Sequence, residues 1–580
     1  MYKRQPNLDT MPRDDPDTFR LISSTHTLGC FQIESPGQRE LIGTMGPEEF
    51  NDLVVDISLF RPGPMQAAMV RPYLNARHGW STPTYPHADL QEILAETRGV
   101  AVYHEQIMRI MDRMTGCGLA RADIWRRLLG SASEEPVETA FRDGARARGY
   151  APDVIDTVWG ILHAFGSFGF CKAHAVAFAV PTYQSAWLKT HHPEAFMAGV
   201  WEHDPGMYPA RLLVGEARRM GIPVLGPDVN RSTDHHRVES VTPRPGTVVS
   251  GDLDRGIPHT QDGAWGIRMS LGSITGISAA EIERLVAAQP YSTLAELRVR
   301  ARPTRRTLQR LAEAGALDSL LHRAETRASH TDMVHFLREQ ADRTATGRGT
   351  SARAQPGEGQ LALPLGDVDL AALPARLPEP STGERVKAEM DTMRIEVSAH
   401  LMDSHGELMR SYGATRAEDL LGLRNGTEVI VAGVRVSTMT PPMRSGKRVV
   451  FISLDDGSGA VDCTFFDEAQ ATSGEVLFAP TLLLVHGHTR RTGPRGIGIQ
   501  AAQAWDLSRP ETLPDPRSLL GSRPTPSRPP RPESAEGPGR RRSHGPERPG
   551  ASRGRAPQGD SAVAGAHPRT RTEVKPQVRR

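Results

Sequence analysis

No run of apolar residues in this chain approaches the roughly 20 that a membrane-spanning helix needs, and its first residues form no apolar signal core. A cytoplasmic protein without a membrane partner is therefore expected. Cysteine is scarce: Cys30, Cys117, Cys171 and Cys463 stand far apart and make no Cys-x-x-Cys pair. That spacing argues against a disulfide framework and a cysteine zinc site, and leaves reduced thiols. A Gly-Lys-Ser/Thr phosphate loop and a Gly-x-Gly-x-x-Gly fingerprint are both missing. His104-Glu105 opens like a zincin helix, but Met108 stands where the second histidine belongs. These absences remove P-loop enzymes, dinucleotide enzymes and metalloproteases.

What is present suits a multidomain chain. Its 580 residues suffice for about three or four domains with real cores. The net charge of +2 hides an asymmetry, because from Arg509 onward 16 Lys and Arg face 7 Asp and Glu, which leaves the preceding body at −7. After Leu507 the sequence is rich in Pro, Arg, Gly and Ser and poor in large apolar residues, so it reads as a disordered basic tail. Such a tail either attracts nucleic acid nonspecifically or merely solubilises.

Gly160 to His192 is the centre of the reading. Val154, Val158, Ile161, Leu162 and Phe165 recur on one helix face, as do Ile107, Met111 and Met114 upstream. Gly166 and Gly169 allow a turn that presents Lys172 and His174 together, which suits an anionic ligand. Tyr183 to Lys189 run along another helix. Further on, Leu271-Gly272-Ser273-Ile274-Thr275-Gly276-Ile277-Ser278 precedes a helix near Ala279 and has the form of a helix-hairpin-helix, with a plain helix turn as the other reading. In the former, glycine amides and a helix amino terminus point at a DNA phosphate, assigning Gly272, Thr275 and Gly276 to DNA binding. His235 to Trp265 are Gly and Pro rich, with a strand-like piece from Arg237 to Val241, and read as a surface loop or small hairpin. From residue 425 the chemistry turns to strands: Val429 to Val436 are rich in β-branched residues, Phe451 to Leu454 lead to Asp455-Asp456-Gly457-Ser458-Gly459, and Val461, Cys463 and Phe465 alternate.

Gly169-Phe170-Cys171-Lys172-Ala173-His174 resembles the Gly-Phe-Asn-Lys-Ser-His corner of bacterial C-family DNA polymerases, the polymerase III alpha subunits and their error-prone relatives. Gly29-Cys30-Phe31-Gln32-Ile33-Glu34-Ser35 and Phe60-Arg61-Pro62-Gly63-Pro64 resemble two further signatures of that family in the same order. Tyr103-His104-Glu105-Gln106 resembles a third, from which His104 departs. The resemblance covers about residues 14 to 507, and the shorter tail leans toward the error-prone type.

The resemblance implies a mainly α architecture, fingers plus helix-hairpin-helix, followed by a small β-barrel OB-fold and the disordered tail. Residues 1–20 become a linker from a missing palm domain, 21–232 the fingers, 233–344 the helix-hairpin-helix region and 345–384 a linker. A helical connector at 385–424, the OB-fold at 425–507 and the tail at 508–580 complete it. It also implies templated transfer of deoxynucleotides to a primer 3′ end, in replication or error-prone repair, with Mg2+ held by palm carboxylates. Asp9, Asp14, Asp15 and Asp17 lie in a stretch without strand pattern and do not receive that role, so this chain alone is expected to bind without catalysing. The alternative is a non-catalytic, clamp-tethered DNA-binding protein.

Residue roles follow the same implication. Arg61, Arg126, Arg127, Lys172 and His174 are the candidates for the triphosphate, because forked guanidiniums pair with phosphate oxygens and lysine acts as a point charge. A surface salt bridge is the other reading of each arginine, and a structural histidine that of His174. Since neighbours on a helix diverge by about 100°, only one of Arg126 and Arg127 should face a pocket. Gln360-Leu361-Ala362-Leu363-Pro364-Leu365 resembles the peptide by which bacterial polymerases dock on the sliding clamp, with Gln360, Leu361, Leu363 and Leu365 as its anchors. In the OB-fold Arg444, Lys447 and Arg448, with Arg490 and Arg491, are loop candidates for single-stranded template. The implied partners are primer-template DNA, deoxynucleoside triphosphates, the clamp and other replication or repair proteins, in the nucleoid.

Overall fold

The computed structural model describes residues 6–60, 69–165, 170–204, 208–242, 251–253, 256–258, 265–323, 329–346, 377–440, 448–478, 482–493 and 495–519. Arg61, Gly166, Gly169, the Gln360–Leu365 peptide, Arg444, Lys447 and the tail beyond Leu519 lie outside them.

The first helix, α1 (Pro16–Ser23), starts inside the stretch read as linker. Asp15 caps it by accepting from the Thr18 amide at 3.2 Å, and Pro16 sits at the first helical position. Aspartate followed by proline is a helix start rather than a linker, because the cap satisfies an orphan amide and proline has none to lose. α2 (Pro36–Met45), α3 (Phe50–Leu59) and α4 (Val70–Arg77) follow. They share an apolar core with α1 and with the 20-residue α9 (Lys172–His191), built on Phe19, Ile42, Val55 and Tyr183. A second core joins α5 (His104–Thr115), α6 (Leu119–Leu128), α7 (Glu134–Ala147) and α8 (Pro152–Phe165). There Ile107, Met111, Val158, Leu162 and Phe165 are buried, as their spacing predicts.

α9 carries Lys172 and His174 in its first turn and runs on through Tyr183 to Lys189, so the basic corner is the start of a helix. At its far end Lys189 is wholly buried. Its ammonium donates to the carbonyls of His26 and Leu28, both at 2.9 Å, and to Glu216 at 2.7 Å. Glu216 belongs to α11 (Ala210–Arg219), which follows α10 (Pro193–His203).

The next unit places strand β3 (Trp265–Arg268) between β1 (Val224–Leu225), parallel to it, and β2 (Arg237–Ser240), antiparallel with Val238 opposite Ile267. Of the stretch expected as a surface loop or small hairpin, Arg237–Ser240 pair with β3 and stay exposed or half-buried, while Ile267, beyond that stretch, is fully buried. α12 (Ala279–Ala287), α13 (Leu294–Ala301), α14 (Arg305–Glu313), α15 (Asp318–Arg323) and α16 (His330–Thr346) complete it. α17 (Thr382–Met393) begins within the expected linker and packs Met393 into the same core.

The last unit is a closed barrel of β4 (Glu428–Met439), β5 (Val450–Asp455), β6 (Ala460–Phe465), β7 (Leu482–Arg491) and β8 (Ile497–Asp506), in the order β4-β5-β6-β8-β7. β6 and β8 are parallel and β7 closes on β4. Val429, Ile452, Cys463 and Phe465 fill the interior, and α18 (Asp467–Ser473) lies between β6 and β7. Order persists past Leu507, where the tail was expected to start: Tyr412 donates to the Pro514 carbonyl at 2.6 Å.

Candidate nucleic-acid interface

α9 begins where it does because α5 holds it. The His104 amide donates to the Phe170 carbonyl at 2.8 Å. Glu105, one residue on, accepts from the Lys172 amide at 3.0 and 3.1 Å and from the Cys171 thiol at 3.4 Å. Burial raises the Glu105 carboxyl, but these donors outweigh it and keep it below the usual range. Lys172 does not stand open: it pairs with Glu96 and lies 5.5 Å from the Tyr103 ring centroid. One turn on, exposed His174 sits 5.2 Å from Phe170 and 4.5 Å from Phe178, and Phe178 reaches Phe31 at 5.6 Å. Spacing of i and i+4 stacks Phe170, His174 and Phe178 along one face of the helix start. The result is a half-open aromatic ladder beside one cation.

Arg126 and Arg127 both form the salt bridge that is one of their two readings in the sequence. Both forks converge on Asp123: Arg126 bonds one carboxylate oxygen at 3.1 and 2.8 Å, and Arg127 the other at 3.0 and 2.8 Å. The reason is spacing, since positions i+3 and i+4 both neighbour position i on a helix. Hydrogen bonds from Arg126 and then Arg127 hold the Asp123 carboxyl below its usual range. Among the described candidates Lys172 therefore faces Glu96 and the two arginines share Asp123. A triphosphate would have to displace these carboxylates.

In the helix-hairpin-helix region Gly276 has a φ of +88°, which a side chain would resist, and Ser278 caps α12 with its hydroxyl on the Glu281 amide. Gly272 lies in the short turn Leu271–Ser273 before it. Thr275 requires a correction. Its amide and hydroxyl both donate to the Thr392 carbonyl, at 2.8 and 2.6 Å, so it docks the hairpin on α17 and has no proton left for a phosphate. Arg306, which sequence reading missed, hangs over Gly276, within 3.6 Å of where a β-carbon would stand. Burial would raise Glu281, but bonds from the Thr304 amide, the Thr307 hydroxyl and Ser278 pull it down to about 2. That carboxylate ties the start of α14 to the start of α12.

On the barrel, the Arg448 guanidinium lies 4.7 Å from the centroid of Phe478, whose ring is half exposed. Arg490 and Arg491 end strand β7 instead of lying in a loop, and Arg491 is committed to the Leu423 carbonyl at 2.9 Å. Two of the four amino-terminal aspartates have structural partners. Asp15 caps α1 and accepts from His191 at 2.6 Å, while Asp17 pairs with Arg20 at 3.3 Å.

Comparison with known proteins matches three segments. Residues 1–149 match the bacterial DNA polymerase III alpha subunit finger domain, 221–328 a helix-hairpin-helix motif and 429–507 an OB-fold nucleic acid binding domain. An error-prone DNA polymerase of Symbiobacterium thermophilum is 31% identical over 514 residues, covering 86% of this chain and 47% of the relative. A DNA polymerase III subunit alpha of Pseudomonas aeruginosa is 30% identical over 539 residues, covering 87% and 43%. The chain thus spans somewhat under half the length of these relatives, which include both the replicative and the error-prone kind.

Proposed function

We propose, from its similarity to DNA polymerase III alpha subunits and error-prone DNA polymerases through finger, helix-hairpin-helix and OB-fold domains, that the chain grips nucleotide and DNA for templated DNA synthesis. The observation that carries this reading is the start of α9, where a cation and a ladder of aromatic faces meet at one half-exposed surface. Phosphate oxygens go to Lys172 and, with Asp123 displaced, to a fork of Arg126 or Arg127, with Arg61 as a further donor. The base lies against His174 and Phe178, since every base offers a π-face to stack.

The duplex backbone goes to Gly272, Gly276 and the start of α12, without base readout. Single-stranded template goes to Arg448 and the neighbouring Arg444 and Lys447. Gln360 to Leu365 tether the chain to a sliding clamp in the bacterial cytoplasm. The reaction of the family is nucleotidyl transfer with magnesium; because Asp15 and Asp17 are spent on a cap and ion pairs, no catalytic step is assigned to this chain. A clamp-tethered DNA-binding role without catalysis is the second reading, favoured by the same two aspartates.

The test is direct. The purified chain should bind primer-template DNA and a fluorescent deoxynucleoside triphosphate, and Lys172→Ala or Phe178→Ala should weaken the nucleotide by about tenfold, the scale of one charge-assisted contact. Unchanged nucleotide affinity in both variants would overturn the assignment. With Mg2+ the chain alone should extend no primer.

A further inference from the structure

OB barrels ordinarily offer oligonucleotides the outer face of their second and third strands, with the loops joining strands one to two and four to five. Here those strands are β5 and β6. Val450, Ile452 and Leu454 point into the barrel, so Phe451, Ser453 and Asp455 point out. Yet Ser453 and Asp455 are each only 6% exposed. Something covers them, and it is the rest of the chain.

The cover is specific. Ser453 donates to Asp462, the outward residue of β6, and Asp462 faces Arg39 of α2 at 3.6 Å. Asp455 accepts from His400 at 3.2 Å and its carboxylate lies 3.5 Å from where a β-carbon on Gly215 of α11 would stand. Arg211, also on α11, donates to the Arg435 carbonyl of β4 at 2.7 Å. The loop joining β7 and β8 is engaged too: a β-carbon on Gly493 would come within 3.0 Å of the Thr44 backbone at the end of α2. On this half Asp462 meets Arg39 and Asp455 meets His400, so its acids face basic side chains of the body and repel phosphate.

The other half is open and of opposite character. Met439, Phe451 and Thr464 lie side by side across three strands. Met439 is 45% and Phe478 50% exposed, and Arg448 stacks on Phe478 while Gln470 fixes the Arg448 carbonyl at 2.7 Å. Met439 and Phe451 offer an apolar strip, and Phe478 with Arg448 a ring beside a charge, the groups that stack bases and hold a backbone.

We propose that single-stranded nucleic acid crosses this barrel only at its open end, over Met439, Phe451 and Phe478, because α2 and α11 of the same chain occupy the remainder of the strand face. The proposal rests on the nucleic-acid reading above and narrows it to one path. Photo-cross-linking of the full chain to oligo(dT) carrying 5-iodouracil, with adducts mapped by mass spectrometry, tests it. Adducts at Phe451 or Phe478, lost or cut about tenfold in Phe451→Ala and Phe478→Ala variants that keep the parent circular dichroism, are the expected result. Adducts within residues 453–462, or none on the barrel while the chain still binds the oligonucleotide, would overturn this path alone. If the unmodified chain binds no oligonucleotide by fluorescence anisotropy, the parent reading falls and this one with it.

Discussion

Lys189 shows what a single buried charge does here. It is fully enclosed, with Glu216 4% exposed beside it, and Glu216 also pairs with Arg219 at 2.9 Å. Lys189→Met leaves Glu216 to Arg219 and takes the donor from the His26 and Leu28 carbonyls, and should cost about 1–3 kcal/mol in urea unfolding. Glu216→Gln should destabilise as well; if both variants unfold with the parent, the pair is not holding α9 to α11. His400 is the second sensitive residue. Burial works against its charge, but the hydrogen bond and field of Asp455, with Glu396 and Asp403, more than compensate and raise its pKa above the ordinary 6.5. A raised histidine stabilises fully below 6.5, and that contribution fades as pH rises through the folded value. The stability difference between the parent and His400→Gln should therefore be largest below pH 6.5 and shrink above it, as read by denaturant midpoints across pH. A difference that grows with pH would contradict the geometry.

Helices and strands with one apolar face were legible from the chain itself. α8 and the barrel strands follow their periods because a single side of each meets a core, and α12 starts at Ala279 because Ser278 offers a cap. Pairings that join distant positions carry no such local mark. Lys172 meets an acid 76 residues away and Thr275 a carbonyl 117 residues away, so neither could be read from spacing. The convergence of Arg126 and Arg127 on Asp123 is different, since the i+3 and i+4 spacing is visible in the sequence and the salt bridge is one of the two readings it offers. At this scale Ser278→Ala should cost about 1 kcal/mol by loss of the cap. Glu281, held near 2 in the folded chain, contributes stability above pH 4.5 that is lost as pH falls toward 2. Glu281→Gln should flatten that acid limb in a thermal-melt series, and an unchanged limb would argue against the tie between α12 and α14.

On the function proposed above, the whole molecule grips its ligands at several weak sites: the ladder on α9, the hairpin at Gly276 and the open end of the barrel. Affinity assembled from phosphate contacts falls with salt as counterions are recaptured. Binding of primer-template DNA should accordingly drop steeply between about 50 and 200 mM salt, and Arg306→Ala should lower the slope by about one unit. A slope that Arg306→Ala leaves unchanged would remove that residue from the interface. Binding of a deoxynucleoside triphosphate separates the two functional readings, since neither gives this chain a catalytic step, and extension by this chain alone would overturn both.

One long helix connects these scales mechanically. Twenty helical residues make a rod of about 30 Å, pinned at its Lys172 end by Glu105 and Glu96 and at its Lys189 end by Glu216 of the element that also meets the barrel. Fixed at both ends, it is a strut that holds the ladder and the barrel's seat at a set separation.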